Sequence, residues 1–438
     1  MGKLFVDVNT LYRAKGANLF ERTHKCSDML DIQKKYQLWL YFKTAVTAGH
    51  AVSKGHDVHG NYFEGPNFAT QDYLSLAADE STKEEAIRTI KEFGIHSGGA
   101  ALAYGTHPYY LDFQKEMADY MGVSSVIIYS AGWMAGYGVM RGLVRDYDHI
   151  VMDRLAHNCL QEGAKASTKN VYITQHLDDK AMMNKVKEIR EKDKNNAIIV
   201  VSESLYSMDS DTHDLVYLQK ECKKYNAYLI IDMAHDLGGV GEVGRGALET
   251  QGVTDLSNVL IVGSGSKVLS TNIGFVGCDD PKVIEYMRYF SPPYMYCNVV
   301  APPQCAAALN NLRIIKSPKG LELRKKVMDN SIYLRDRLKK MGFKCLGSPS
   351  PIVIVIIGDE LTCRLTSRFM LNNNVIVNGI EYPIVPFGQA RLRLQLQAQH
   401  SKENLDTFCE KLEMCFNQAK EMKTKVQEMV KMGVQPKL

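Results

Sequence analysis

The sequence has no C-x-x-C pair, although it carries 10 cysteines in 438 residues. Scattered cysteines exclude the paired spacing of a zinc site and the dense pattern of a disulfide scaffold, and they suit a reducing compartment. Net charge is also scarce. At +4 the chain offers no general field for nucleic acid. Long apolar runs are missing too. The most apolar early stretch, YQLWLYFKTAVTAGHAV from residue 36, is interrupted by Lys43. It is short for a transmembrane anchor and reads as an amphipathic helix. The first 25 residues lack the unbroken apolar core of a secretory signal. Val6 stands where N-myristoylation needs Ser or Thr. The expected location is cytoplasmic, with a mitochondrial one left open, although Asp7 and Glu21 are unlike a mitochondrial leader. No G-x-G-x-x-G follows a first strand and no Walker pattern occurs, so neither nucleotide fingerprint is available.

What the chain does have is alternation. Residues 1–60 read as a helical segment with a loop at SKGHDVHG, and STKEEAIRTIKEFG as a helix capped by Ser81. Beyond residue 110, short apolar runs (SSVIIYS, HIVMD, NAIIVVSE, AYLIID, NVLIVGS) are separated by amphipathic helical stretches. That rhythm predicts an α/β fold whose mostly parallel sheet is covered on both faces. After residue 300 come a long helical region, the run SPIVIVIIG, the alternating RLRLQLQAQH and a last amphipathic helix, KENLDTFCEKLEMCFNQAKEMKTKVQEMVKMG. The expected domains are 61–300 as a large domain and 301–438 as a smaller α+β domain joined by 1–60, with a ligand cleft between them.

Polar residues of particular types sit at the carboxyl ends of the apolar runs. Lys267 follows NVLIVGS. It is either a solvated loop lysine or an amine desolvated enough to form a Schiff base. Asp232 ends AYLIID, His235 lies three residues on, and five glycines follow before residue 247. In open α/β sheets ligands bind at this edge, so Asp232, His235 and Lys267 are expected to face one crevice. A carboxylate beside a pyridine nitrogen would keep that ring protonated and make it a better electron sink. The alternatives are a helix cap or metal ligand for Asp232 and a locally bonded loop residue for His235. Gly132 and Trp133 open a helix after SSVIIYS, where free backbone N–H groups can hold a phosphate; Trp133 is otherwise a core residue. His157 follows HIVMD. It could stack on an aromatic cofactor or make local bonds at a helix start. VVSESLYSMDSD places Ser202, Glu203 and Ser207 at one more strand mouth.

Taken in order, DYLSLA, YGT, DRLAHN, SESLYSMDSD, DMAHDLGGVGEVGRG, GSGSK and YPIVPFGQARLRLQLQAQH resemble the α-oxoamine synthases. These are pyridoxal 5′-phosphate enzymes of fold type I that include 2-amino-3-ketobutyrate CoA ligase, 5-aminolevulinate synthase, 8-amino-7-oxononanoate synthase and serine palmitoyltransferase. The resemblance spans residues 60 to 415. It implies the PLP-dependent transferase fold type I, with Lys267 as Schiff-base lysine, Asp232 on the pyridine nitrogen, His157 stacked on the ring and His235 on the phenolic oxygen. It assigns Gly132, Trp133, Ser207 and Ser264 to cofactor binding. Arg393 is assigned to the substrate carboxylate, with Arg391 two positions away on the same strand face, and Gln71 to the substrate. A salt-bridging strand arginine is the other reading of Arg393.

Three positions depart from the family pattern. Ala101 stands where an arginine is usual, Gln71 replaces an asparagine, and the dimer-contact segment reads YMYCNVVAPP. The implied reaction is condensation of a small amino acid, glycine or serine, with an acyl-CoA, releasing CoA and then CO₂. A homodimer is implied, with no metal. The rivals are a fold type I aminotransferase or lyase and a non-catalytic partner subunit. The latter lacks the lysine in heterodimeric serine palmitoyltransferases, whereas Lys267 is present here.

Overall fold

A computed structural model describes residues 11–39 and 41–431. The start of the N-terminal segment, and Met432 and Gly433 at the end of the expected last helix, lie outside the described residues. Two compact units divide the chain: Met1–Thr70 with Asp329–Leu438, and Gln71–Met328. The sequence reading placed these borders near 60 and 300. The later second border has a packing reason. The helix Pro302–Lys316 buries Cys305, Ala306, Ala308, Leu309 and Leu312 and packs on the helices Glu80–Phe93 and Pro108–Met121.

The first unit holds two small sheets. Strands β1 (Thr44–Ala45), β2 (Val52–His56) and β3 (Tyr62–Pro66) form an antiparallel meander. The expected helix from residue 36 and the loop at SKGHDVHG are therefore both corrected. Gln37 and Phe42 have positive φ, which no continuous helix accommodates. Gly55 lets the pairing close, because a Cβ there would meet the Thr44 carbonyl at 2.3 Å.

The second unit is built on seven strands. These are β4 (Ser125–Tyr129), β5 (His149–Asp153), β6 (Val171–Thr174), β7 (Ile198–Glu203), β8 (Tyr228–Asp232), β9 (Val259–Ser264) and β10 (Gly274–Cys278), in the spatial order β4-β10-β9-β8-β7-β5-β6. Strands β5 to β9 are mutually parallel, and β10 runs against both its neighbours. Every residue of β7, β9 and β10 is buried, as a sheet covered on both faces requires. The strand VYIT of β6 escaped the sequence reading. It is short and half-exposed, so it carries little apolar signal. The helix Glu80–Phe93 begins at Asp79, which accepts the Ser81 N–H at 3.1 Å and takes the capping role expected of Ser81.

The first unit's second sheet comprises β11 (Cys345–Leu346), β12 (Ile352–Gly358), β13 (Asn378–Ile380) and β14 (Ala390–Gln395), in the order β11-β12-β14-β13. The alternation of RLRLQ does not give one wet face: Leu392 and Leu394 are buried, and so are Arg391 and Gln395.

Asp153, the last residue of β5, has no exposed surface. Its carboxylate accepts the N–H groups of Leu155 (2.7 Å) and Leu177 (3.0 Å) and bonds with His176 Nδ1 (3.0 Å) and His213 Nε2 (2.9 Å). His176 Nε2 pairs with Asp211 at 3.1 Å, and His213 Nδ1 with Asp179. Burial favours the neutral carboxyl, but the two imidazoles outweigh it and hold Asp153 well below the usual carboxylate range. Burial opposes charge on His176 too, yet Asp153 and Asp211 raise it to about 10. A raised folded-state pKa stabilises below the unfolded value, near 6.5, and that stability disappears as pH climbs through about 10. Thermal unfolding followed from pH 6.5 to 10 should show a falling midpoint, and the fall should be shallower in His176→Gln. Parallel curves for the two proteins would mean that His176 is neutral in the folded state.

Candidate active site

The carboxyl ends of β8 and β9 and the start of the helix Gly132–Leu143 surround a cavity of about 260 Å³. Lys267, Asp232, His235, His157, Gly132, Trp133 and Ser264 all line it, as do Cys159, Glu203, Ser266 and Asn272. Each arrives by its own local structure. Asp232 ends β8, and its Oδ1 accepts the Ala234 N–H at 2.9 Å, which fixes the carboxylate plane. His235 is buried, with Nδ1 2.8 Å from the hydroxyl of Tyr73. The glycine-rich loop behind it returns through Asp236, which accepts the Ala247 N–H at 2.7 Å. Gly246 is needed there: its φ is +63°, and a Cβ would meet Asp236 Oδ2 at 2.3 Å.

Lys267 sits in the turn between β9 and β10. Gly265 N–H donates to Ile273 O and Thr271 N–H to Gly265 O, while Ser270, with φ +52°, donates its N–H to Lys267 O. The Ser270 hydroxyl then donates to Asp72 at 2.6 Å. Asp72 also accepts the N–H groups of Leu76 and Ala77, so the segment after Gln71 straps the lysine turn.

The helix Gly132–Leu143 has no side-chain cap at Ala131, and its first N–H groups face this region. Gly132 is packed against Ser264, where a Cβ would come within 2.4 Å of the Ser264 Cβ and Oγ. Ser264 and Ser266 hydroxyls are 2.8 Å apart. Trp133 is not a core residue: it is 45% exposed, stacked on Tyr137 at 5.2 Å, and donates Nε1–H to Asn158. His157 caps the helix Asn158–Ser167 and places Nδ1 3.0 Å from the Cys159 thiol.

Other expected positions fall elsewhere. Ser207 is half-buried in the loop after β7 and outside the cavity lining. Gln71 is half-buried and also outside that lining. Arg393 and Arg391 belong to β14 of the first unit, opposite Ile354 and Ile356, with Arg391 Nε donating to Gln389 O at 3.1 Å. Sequence reasoning missed Cys159, Ser266 and Asn272, because a cysteine two residues past a histidine or a serine in a turn has no chemistry-bearing spacing of its own.

These residues fit pyridoxal phosphate. An uncapped helix start beside two hydroxyls suits a phosphate, a buried carboxylate suits a pyridinium nitrogen, and an amine in a braced turn suits the aldehyde. Comparisons with known proteins agree. The family described as aminotransferase class I and II matches residues 65–412. The 8-amino-7-oxononanoate synthase of Petrotoga mobilis is 30% identical over 347 residues, covering 79% of this chain and 87% of that protein. The same enzyme of Thermoanaerobacter pseudethanolicus is 30% identical over 340 residues, covering 78% and 85%. Among solved structures, Sphingomonas wittichii serine palmitoyltransferase superposes with a TM-score of 0.84 at 22% identity, over 92% of this chain and 99% of that one. The 8-amino-7-oxononanoate synthase of Francisella tularensis gives 0.66 at 21%, over 82% and 98%; these two likenesses concern the fold. The chain belongs to the aminotransferase class I and II family and, within it, to the α-oxoamine synthases, pyridoxal-phosphate enzymes of fold type I. Among the described residues no helix is long and apolar enough to cross a membrane.

Gly132→Ala tests the phosphate fit. The added methyl must displace Ser264 or the helix start. Losing one hydrogen bond to a charged phosphate costs about 2 kcal/mol, roughly 30-fold in affinity. Fluorescence titration of the cofactor-free protein with pyridoxal phosphate should show this loss; unchanged affinity would exclude Gly132 from the phosphate cradle.

Proposed function

We propose that this chain joins a small amino acid, glycine or serine, to the acyl group of an acyl-CoA, releasing CoA and then CO₂. The observation that carries the reading is the gathering of Lys267, Asp232, His235 and His157 around one cavity at the carboxyl edge of a parallel sheet. The 8-amino-7-oxononanoate synthase and serine palmitoyltransferase relatives support the choice of a condensing transferase over an aminotransferase or lyase.

Pyridoxal phosphate, when bound, supplies the electron sink for a carbanion at the amino-acid Cα. The chain supplies the rest. Lys267 Nζ would be the covalent anchor and the base that takes the Cα proton of the amino acid. Asp232 keeps the ring nitrogen protonated. With Nδ1 of His235 engaged by Tyr73, the imidazole presents Nε2 to the phenolic oxygen. His157 covers one ring face. The backbone at Gly132 and Trp133, with the Ser264 hydroxyl, holds the phosphate. Ser207, in the loop after β7, belongs to the same cofactor set. Gln71 and Arg393 contact the amino acid. A guanidinium is always charged and grips a carboxylate with two parallel bonds, which fixes the angle of the scissile bond.

The working form is a homodimer. Ala100 and Asn298 bridge the segment GIHSGGAALAYGT to YMYCNVVAPP, and Tyr104 and Tyr296, one from each, are 91% and 84% exposed. Large exposed aromatics on joined segments suit an apolar symmetric interface. A cytoplasmic setting accords with ten cysteines that form no disulfide.

Two results are expected from one set of variants. Borohydride reduction of the holoenzyme should fix the cofactor on the peptide containing Lys267, and Lys267→Ala should lose both the visible band and turnover. Arg393→Ala should retain the cofactor while glycine and serine binding weakens by about 2–5 kcal/mol. A label on another lysine overturns the first assignment. Equal amino-acid affinity in wild type and Arg393→Ala overturns the second and turns attention to Arg391. Light scattering of the active holoenzyme at assay dilution should give twice the chain mass; a fully active monomer would refute the dimer.

A further inference from the structure

His157 and Cys159 both line the cavity, but only one of them is anchored by burial. Cys159 is 2% exposed, and its Sγ occupies the place that a Cβ on Gly136 of the helix Gly132–Leu143 would need. His157 is exposed. An exposed imidazole turns about its side-chain bonds unless something holds it. Two donors hold this one, both from Cys159 and both on Nδ1. They are the thiol, with Sγ at 3.0 Å, and the backbone N–H, with its nitrogen at 3.4 Å.

The second of these bonds fixes the sense of the first. A backbone N–H can only donate, so Nδ1 accepts and carries no proton. The thiol beside it is then also a donor, S–H to nitrogen. The imidazole is neutral, with its one proton on Nε2. Burial raises the Cys159 thiol above its ordinary range, which agrees with a donor that keeps its proton. Hydrogen bonds given to Nδ1 favour the uncharged ring. That matters next to a protonated pyridine ring, because a cationic imidazole stacked on it would be repelled at short range.

We propose that Cys159 is a positioning residue of the cofactor site: its thiol donates to Nδ1 of His157 and so fixes the orientation and the tautomer of the imidazole. The proposal rests on the ring-facing reading of His157. It assigns Cys159 no bond to substrate or cofactor. Gly136 belongs to the same device, since it leaves room for Sγ at the point from which the thiol reaches Nδ1.

The test uses the full chain with and without cofactor. In the cofactor-free protein, nitrogen NMR of isotope-labelled histidine should show His157 as the Nε2–H tautomer. Cys159→Ala should turn this into a mixture of the two neutral tautomers. Cys159→Ser, whose hydroxyl donates, should restore the wild-type form. In the holoenzyme, visible circular dichroism of the bound cofactor should weaken in Cys159→Ala and recover in Cys159→Ser. Turnover should fall about 3- to 10-fold in Cys159→Ala, the worth of one neutral hydrogen bond. In a His157→Ala background, Cys159→Ala should add little further loss, since both act through one imidazole. The proposal is overturned if wild-type His157 carries its proton on Nδ1, if Cys159→Ser is as poor as Cys159→Ala, or if the two losses multiply. Should His157→Ala alone leave turnover and dichroism unchanged, the ring-facing reading of His157 fails instead, and the NMR arm still decides whether Cys159 sets the tautomer.

Discussion

Asp153 is an anion with no exposed surface at the end of β5, the strand beside the edge strand β6. Such a charge is tolerable only if donors surround it, and here two backbone N–H groups and two imidazoles do so. The donors come from three different stretches of chain: the loop after β5, the turn after β6 and the segment before the helix Leu215–Lys224. Satisfying one carboxylate therefore fixes three connections at the sheet's carboxyl edge. His157 lies four residues beyond Asp153, and Tyr206 packs edge-on against His176 at 4.6 Å. The wall of the cavity nearest β5 and β7 inherits its geometry from this node.

The opposite wall is organised by a second carboxylate. Asp72 takes the Ser270 hydroxyl and two backbone N–H groups, while its neighbour Tyr73 bonds His235. One short loop thus braces the lysine turn and holds His235 through its Nδ1. The reactive groups are held by backbone and by other polar side chains rather than by apolar packing alone. Directional bonds are what a site needs when a proton must move between defined atoms.

Much of this was legible in the chain itself. The runs HIVMD, NAIIVVSE, AYLIID and NVLIVGS are buried on both faces, so their apolar signal is strong, and the residues that follow them were found at the cavity. The family motifs then gave identities to Lys267, Asp232, His235 and His157. What stayed hidden depends on distant partners. The β1–β3 meander forms because Thr44 meets His56 across an intervening loop, and local propensity around YFKTAVT does not reveal that pairing. The node at Asp153 draws His176 and His213 from 23 and 60 residues away, and neither histidine has a motif around it. Trp133 was ambiguous because its sequence neighbours are apolar, yet its ring lies on the surface of its helix against Tyr137.

The acid–base inventory of the cavity imposes one further constraint. Cys159, Glu203 and Asp232 converge on its floor. Burial first, and then the neighbouring carboxyl groups of Asp232 and Glu203, raise the Cys159 thiol, while Lys267 lowers it. Glu203 is raised by burial and by Asp232. Cys159 and Glu203 are thus both favoured in their uncharged forms beside Asp232. A further fixed charge there would compete with Asp232 for the role proposed for it. Neutral neighbours therefore matter to the proposed site: they fill the space around Asp232 and keep water from it.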